Sequence, residues 1–245
     1  MLLSACGTKA ASGPLEFKTD SDNSWITGNE PVGSSIYVDK IDGLSTDFIR
    51  AVDISSVISE EKSGVIYRDF DGNEQDIFKT LKQSGINYIR VRVWNDPFDA
   101  EGHSYGGGGN DVAAAAEIGK RAAENGIKTI VDFHYSDFWA DPAKQMVPKA
   151  WADMDIDTKA DALYSFTKES LETIIKAGAD VGMVQIGNET TGAMCGETNW
   201  IKITRLMNAG SRAVRETDPK MLIAVHFTNP EKSENYEQYA KILAN

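Results

Sequence analysis

Residues 181–192 read VGMVQIGNETTG: an apolar run climbs to Ile186 and then breaks into Gly187, Asn188 and Glu189. A strand with that ending sets an amide and a carboxyl side by side at its mouth. Four more β-type runs flank it: FIRAVDISS (48–56), INYIRVRVW (86–94), IKTIVDFHY (127–135) and MLIAVHF (221–227). Helix-type segments lie between them, QDIFKTLKQSG, DVAAAAEIGKRAAENG, TKADALYSFTKESLETIIKAG and WIKITRLMNAGSRAVRETD. The alanine run of the second costs little in helix propensity, and its apolar spacing of three and four marks one buried face. Three of these segments stop at Gly85, Gly126 and Gly178, the residue type favoured just past a helix end. Strands alternating with helices imply parallel strands joined by right-handed crossovers.

Two α/β architectures fit that alternation, a doubly wound open sheet and a (β/α)8 TIM barrel. The strand endings favour the barrel. Asp53, Ser55 and Ser56 follow the first run, and Arg92, Trp94, Asn95 and Asp96 end the second. His134, Ser136 and Asp137 end the third, and Asn188 and Glu189 the fourth. A barrel assembles its site from the C-terminal ends of many strands, whereas an open sheet uses chiefly those at its switch point. No G-x-G-x-x-G follows the first strand. The run Gly106–Gly109 follows no strand directly, so it reads as a flexible loop and not a phosphate cradle. A barrel needs eight units; the sequence to Asn245 shows five strands and what reads as a fifth helix. About five βα units, an incomplete barrel with two long edges, are therefore expected.

With 245 residues, 41% hydrophobic and 25% charged, the composition is that of a globular chain with a real core. The net charge of -12 argues against nucleic acid as a partner and leaves a neutral polysaccharide open. Three scattered histidines (His103, His134, His226) give no zinc-type cluster, and no metal is expected. Leu3-Ser4-Ala5-Cys6 resembles a bacterial lipobox, in which Cys6 would carry lipid, and the polar stretch to Gly33 resembles a tether. The expected layout is a lipoprotein signal remnant and tether over 1–33 and the barrel over 34–245. Membrane contact is expected only through that lipid, since no later run is long and apolar enough to span a bilayer. This points to an extracellular or cell-surface bacterial lipoprotein, expected to be a monomer.

Glycosidic bonds are cleaved by two carboxyls, one protonating the leaving oxygen and one attacking or activating water. Glu189, at a strand mouth among aromatics, suits the acid, whose pKa must be raised; it also suits a solvated loop position. Asn188 beside it can hold a sugar hydroxyl. Arg90 and Arg92 alternate on one strand and point to one face, where each needs a carboxylate partner. They serve either to hold a catalytic carboxylate or to make a structural ion pair. Asp53 and His134 are such partners or sugar ligands. Among the aromatics after the second and third strands, Trp94 and Trp139 suit flat platforms for sugar faces.

The runs FIRAVDISSVISEEKSGV, GINYIRVRVWNDPFDAEG, VDFHYSDFWADPAKQMVPKAW and VQIGNE resemble family 53 of the glycoside hydrolases, the endo-β-1,4-galactanases. The resemblance runs from about Phe48 onward. It implies a (β/α)8 barrel, a retaining mechanism on galactan side chains of pectin, an acid/base Glu after the fourth strand and a nucleophile Glu after the seventh. On the residues here, Glu189 matches the acid/base and Asn188 the Asn before it. Arg90 and Arg92 match the strand-two arginines, and Trp94, His134 and Trp139 match cleft positions. No Glu here matches the nucleophile; Glu197 lies in the same loop as Glu189. Residues 1–245 alone are therefore expected to have little galactanase activity and the complete gene product to have it. No cofactor is implied for this stretch, although some bacterial members bind calcium in a late loop. A non-catalytic galactan-binding surface lipoprotein is the alternative. A sugar-binding lipoprotein with an open sheet leaves the four polar mouths unexplained.

Overall fold

The computed structural model describes residues 41–244. Cys6 and the tether expected over 1–33 lie outside them. Five parallel strands appear where the apolar runs lie: β1 (Ala51–Asp53), β2 (Tyr88–Val93), β3 (Lys128–Phe133), β4 (Val181–Ile186) and β5 (Leu222–Ala224). They pair in the order β1-β2-β3-β4-β5, all parallel. A doubly wound sheet reverses its order at a switch point. Strictly sequential order with a helix at every crossover is that of a (β/α)8 barrel, and the chain carries five of its units.

The helices are α1 (Val57–Lys62), α2 (Ile77–Gln83), α3 (Val112–Glu124), α4 (Ile156–Lys176), α5 (Trp200–Thr217) and α6 (Ser233–Leu243). Four start on an Asp or Asn whose side chain accepts a backbone N–H of the first turn: Asp76, Asp111, Asp155 and Asn199. Each such cap is worth about 1 kcal/mol. Gly85, Gly126 and Gly178 have φ of 85°, 65° and 109° just past α2, α3 and α4, as expected of helix-ending glycines.

Alternation along β2 divides the molecule. Ile89, Val91 and Val93 are fully buried beneath the helices, while Tyr88, Arg90 and Arg92 face the other way, into the barrel. The outer core continues through Val131 and Phe133 of β3, Val184 and Ile186 of β4, and the inner faces of α3, α4 and α5. Burying each large aliphatic side chain there contributes roughly 1.5–3 kcal/mol. The parallel register places Arg92, Asp132, Gln185 and Ala224 in one row across β2 to β5. Paired residues of neighbouring strands point to the same face, so this row projects polar groups into the barrel. No helix among the described residues is long and apolar enough to cross a membrane.

Candidate active site

Inward side chains of β1 to β4, with His134, Asn188 and His226 just past β3, β4 and β5, form one hydrogen-bonded network at the C-terminal strand ends. Its centre is Asp132, fully buried, a residue the sequence left unremarked two positions before His134. Asp132 Oδ2 lies 2.6 Å from Arg90 Nη2 and 3.0 Å from His134 Nε2. Its Oδ1 accepts from Gln185 Nε2 at 2.5 Å. Arg90 also donates to Asp53 Oδ2 at 2.7 Å and to Asn188 Oδ1 at 2.9 Å. Arg90 thus has two carboxylate partners on neighbouring strands, at the mouth of the barrel.

Asp53 therefore belongs to an ion pair. Burial works to raise its carboxyl, but the Ser55 hydroxyl and N–H, with Arg92 and Arg90, outweigh it and hold the carboxyl below its ordinary value. Arg92 is served differently. Its nearest carboxylate oxygen, on Asp53, is 3.8 Å away, and its buried Nε has no hydrogen-bond partner among the described residues. The Trp139 ring covers it instead, 4.3 Å from guanidinium carbon to ring centroid. A cation–π contact of this kind is worth about 0.5–2 kcal/mol. Burial lowers the Arg92 pKa.

Three expected sugar ligands are turned inward. Trp94 is fully buried, so its faces offer no platform; its indole N–H donates to His134 Nδ1 at 3.1 Å. His134 is buried too, with Nδ1 also accepting the Ala140 N–H at 3.0 Å and Nε2 on Asp132. Both ring nitrogens are committed, which fixes the tautomer with the proton on Nε2. The Asn188 amide donates one N–H to the Ala140 carbonyl at 2.8 Å, and its oxygen takes Arg90 and Gln185, so one N–H remains for a further acceptor. Spacing alone does not separate an inward polar residue from a cleft residue. Trp139 differs: it is 39% exposed and packs against Trp94 at 5.6 Å between centroids.

The Gly106–Gly109 run, expected as a flexible loop, is wedged against this pair. All four residues have positive φ. A Cβ at Gly107 would stand 2.9 Å from Trp94 Cη2 and 3.3 Å from Trp139 Nε1. Glycine is needed there for close approach as well as for φ.

Glu189 follows β4 with φ of 50°, a left-handed conformation costly for a residue with a side chain. Gln145 donates to the Asn188 carbonyl at 2.7 Å and to the Glu189 carbonyl at 3.3 Å. From the segment just after β5, His226 approaches the Asn188 oxygen at 2.9 Å and the Glu189 N–H at 3.3 Å, both at Nδ1. The sequence pointed to neither Gln145 nor His226 as a site residue; the polar ending AVHF at the fifth strand was the available signal for the latter. Asp53 and Asp132 are tied to Arg90, and Glu197 to Lys159 at 2.6 Å and Lys202 at 3.0 Å. The Glu189 carboxyl has no hydrogen bond or ion pair among the described residues. For a cation, Asp99, Glu101 and His103 on the β2–α3 connection offer ligand atoms within 4.8 Å of one another. The Asp99 carboxyl there already accepts the Glu101 and His103 N–H groups.

Residues 49–245 match the profile of Glycosyl hydrolase family 53. Over 209 residues the chain is 57% identical to the endo-beta-1,4-galactanase of Bacillus subtilis (strain 168), covering 85% of this chain and 49% of that protein. It is 37% identical over 186 residues to the arabinogalactan endo-beta-1,4-galactanase of Humicola insolens, covering 74% of this chain and 53% of that one. The solved GH53 catalytic domain of Ignisphaera aggregans matches with a TM-score of 0.82 at 37% identity, over 86% of this chain and 59% of that chain. The chain spans about half the length of the curated relatives it matches. On the profile match and these identities, the chain belongs to glycosyl hydrolase family 53.

Proposed function

We propose that the protein is an endo-acting hydrolase of β-1,4-galactosidic bonds in galactan and arabinogalactan side chains of pectin, working with retention by double displacement. The observation that carries this is the Glu189 carboxyl, left unpaired at the end of β4 while the carboxylates around it are committed. Family membership and the activities named for the relatives support the substrate. In the first step Glu189 gives its proton to the glycosidic oxygen as the C–O bond breaks, and a second carboxylate bonds to the anomeric carbon. In the second step the Glu189 carboxylate takes a proton from water, whose oxygen attacks that carbon and releases the second carboxylate.

The family resemblance implies that the second carboxylate belongs to a barrel strand after β5, about 5–5.5 Å across the sugar from Glu189; the engagement of Asp53, Asp132 and Glu197 is consistent with that. Arg90 holds Asn188 and lends positive potential beneath the reacting sugar, and the exposed Trp139 ring stacks on a neighbouring one. The lipobox-like Leu3-Ser4-Ala5-Cys6 supports a cell-surface or extracellular location.

The test is Glu189→Gln in the protein expressed from its complete reading frame. Galactan hydrolysis should fall about 10²–10⁴-fold, the usual contribution of general acid–base catalysis. A loss smaller than about tenfold would remove Glu189 from the acid role. A wild-type protein that binds galactan but generates no reducing ends would favour the non-catalytic binder instead.

A further inference from the structure

The Asn188-Glu189-Thr190 segment leaves the sheet at Gly187, whose N–H makes a last bond to the Phe133 carbonyl. Beyond that point β4 itself no longer fixes the backbone. Yet Glu189 sits in the left-handed region at φ 50°, a conformation costly for a residue with a side chain that persists only where surroundings over-determine it. Those surroundings come largely from the segment after β5. The His226 carbonyl accepts the Thr190 N–H at 2.9 Å and the Thr190 hydroxyl at 3.2 Å. The Thr228 N–H donates to the Thr191 hydroxyl at 2.9 Å. The His226 ring closes the other side, through Nδ1, on Asn188.

We propose that His226 is a positioning residue for Glu189, its carbonyl fixing Thr190 and its Nδ1–H fixing the Asn188 side chain, so that the left-handed residue between them is held at both ends. This rests on the role proposed above for Glu189. The proton's place follows from distance. Nδ1 lies 2.9 Å from Asn188 Oδ1 and 3.3 Å from the Glu189 N–H; the two contacts call for opposite tautomers, and the shorter one, between two atoms that repel when both are bare, takes the hydrogen. The Asn188 oxygen is the correct end of that amide, because its Nδ2 donates to the Ala140 carbonyl. Nδ1–H then leaves Nε2 as a bare lone pair, and Nε2 has no hydrogen-bond partner among the described residues. Burial, then Arg90, lowers the His226 pKa, against smaller raising effects from Asp132 and Glu189, with His134 also lowering it. The ring is therefore neutral near pH 7, in a single tautomer.

Two measurements decide this. In the wild-type protein near neutral pH, ¹⁵N chemical shifts of the His226 ring should show a protonated Nδ1 and a bare Nε2; the opposite tautomer overturns the clamp. In kinetics on galactan, His226→Ala should lower kcat on the order of 10²-fold, the scale of a catalytic group displaced by about 1 Å, with a smaller change in KM. His226→Asn places an amide N–H near the position of Nδ1 and should restore most of that loss. An Ala variant with wild-type kcat overturns the proposal, as does an Asn variant as impaired as Ala while both keep the wild-type melting temperature. A wild type inert on galactan would count against the functional reading alone, and the tautomer would still decide the clamp.

Discussion

Replacing Asp132 by Asn tests whether the buried carboxylate holds the mouth of the barrel together. The side chain has no solvent exposure, and every partner it has is a donor: Arg90 Nη2 and His134 Nε2 on Oδ2, Gln185 Nε2 on Oδ1. Asn keeps one acceptor and turns the other oxygen into an NH₂ that must face a donor. His134 cannot relieve this by moving its proton, because Nδ1 already accepts from Trp94 and Ala140. A Gln185 flip gives no relief either, because its Oε1 already serves Arg90. Breaking a buried ion pair from one side costs about 3–5 kcal/mol. Arg90 keeps Asp53 at 2.7 Å and is 24% exposed, which places the expected loss near the bottom of that range, about 3 kcal/mol. Urea unfolding should show it as a lower midpoint with an unchanged slope. A loss under about 1 kcal/mol would refute the central role of Asp132.

Gly107→Ala adds a Cβ 2.9 Å from Trp94 Cη2 at a positive φ, and it should cost about 2–3 kcal/mol; an unchanged urea midpoint would show that the aromatic pair yields freely. Trp139→Ala removes the exposed ring and should raise KM for galactan by up to about tenfold with kcat little changed, the signature of uniform binding; a kcat loss with constant KM would contradict the platform role. Lys159→Met leaves Glu197 with Lys202 as its remaining cation and should cost about 2–3 kcal/mol by urea unfolding. The Lys159 hydrogen bond, opposed by burial and joined by Lys202, lowers the Glu197 pKa, and Asp53 is lowered too. In acid the unfolded chain thus binds more protons than the folded one, so stability present above the ordinary carboxylate range falls as pH drops through the folded pKa values. The midpoint should decline through that window, less steeply in Lys159→Met; a flat profile would contradict the pairing.

The architecture was legible because it rests on local periodicity. Each strand lies within its apolar run, and α2, α3, α4 and α5 within or beside the segments spaced for them. The six-residue α1 was missed, since VISEEK is too short to show a period. The site was legible only by location. Polar strand endings marked the mouth, but whether a polar side chain there faces solvent or a neighbouring strand depends on partners far apart in sequence. Trp94 and Trp139 looked alike on the page; one is fully buried and the other 39% exposed because Gly107 and His134 close over the first. Asp132 was hidden for a related reason. Inside an apolar β run, a single Asp carries no periodic signal, and its meaning comes only with Arg90 and Gln185 on the adjoining strands.

That network also accounts for what an isolated strand end cannot do. A carboxyl poised for proton transfer must be held in place without being hydrogen-bonded into uselessness, because each donor it accepts stabilises its charged form and lowers its pKa. On the role proposed for Glu189, the barrel separates the two demands. Donors and charges converge on Asn188, one residue earlier, and on the backbone around Glu189: Arg90, Gln185 and His226 at the Asn188 oxygen, Gln145 at two carbonyls. Fixing the backbone and the preceding side chain orients Glu189 while leaving its own oxygens free. An Asn-Glu pair at a strand mouth is thus a division of labour, with the amide anchored so that the carboxyl need not be.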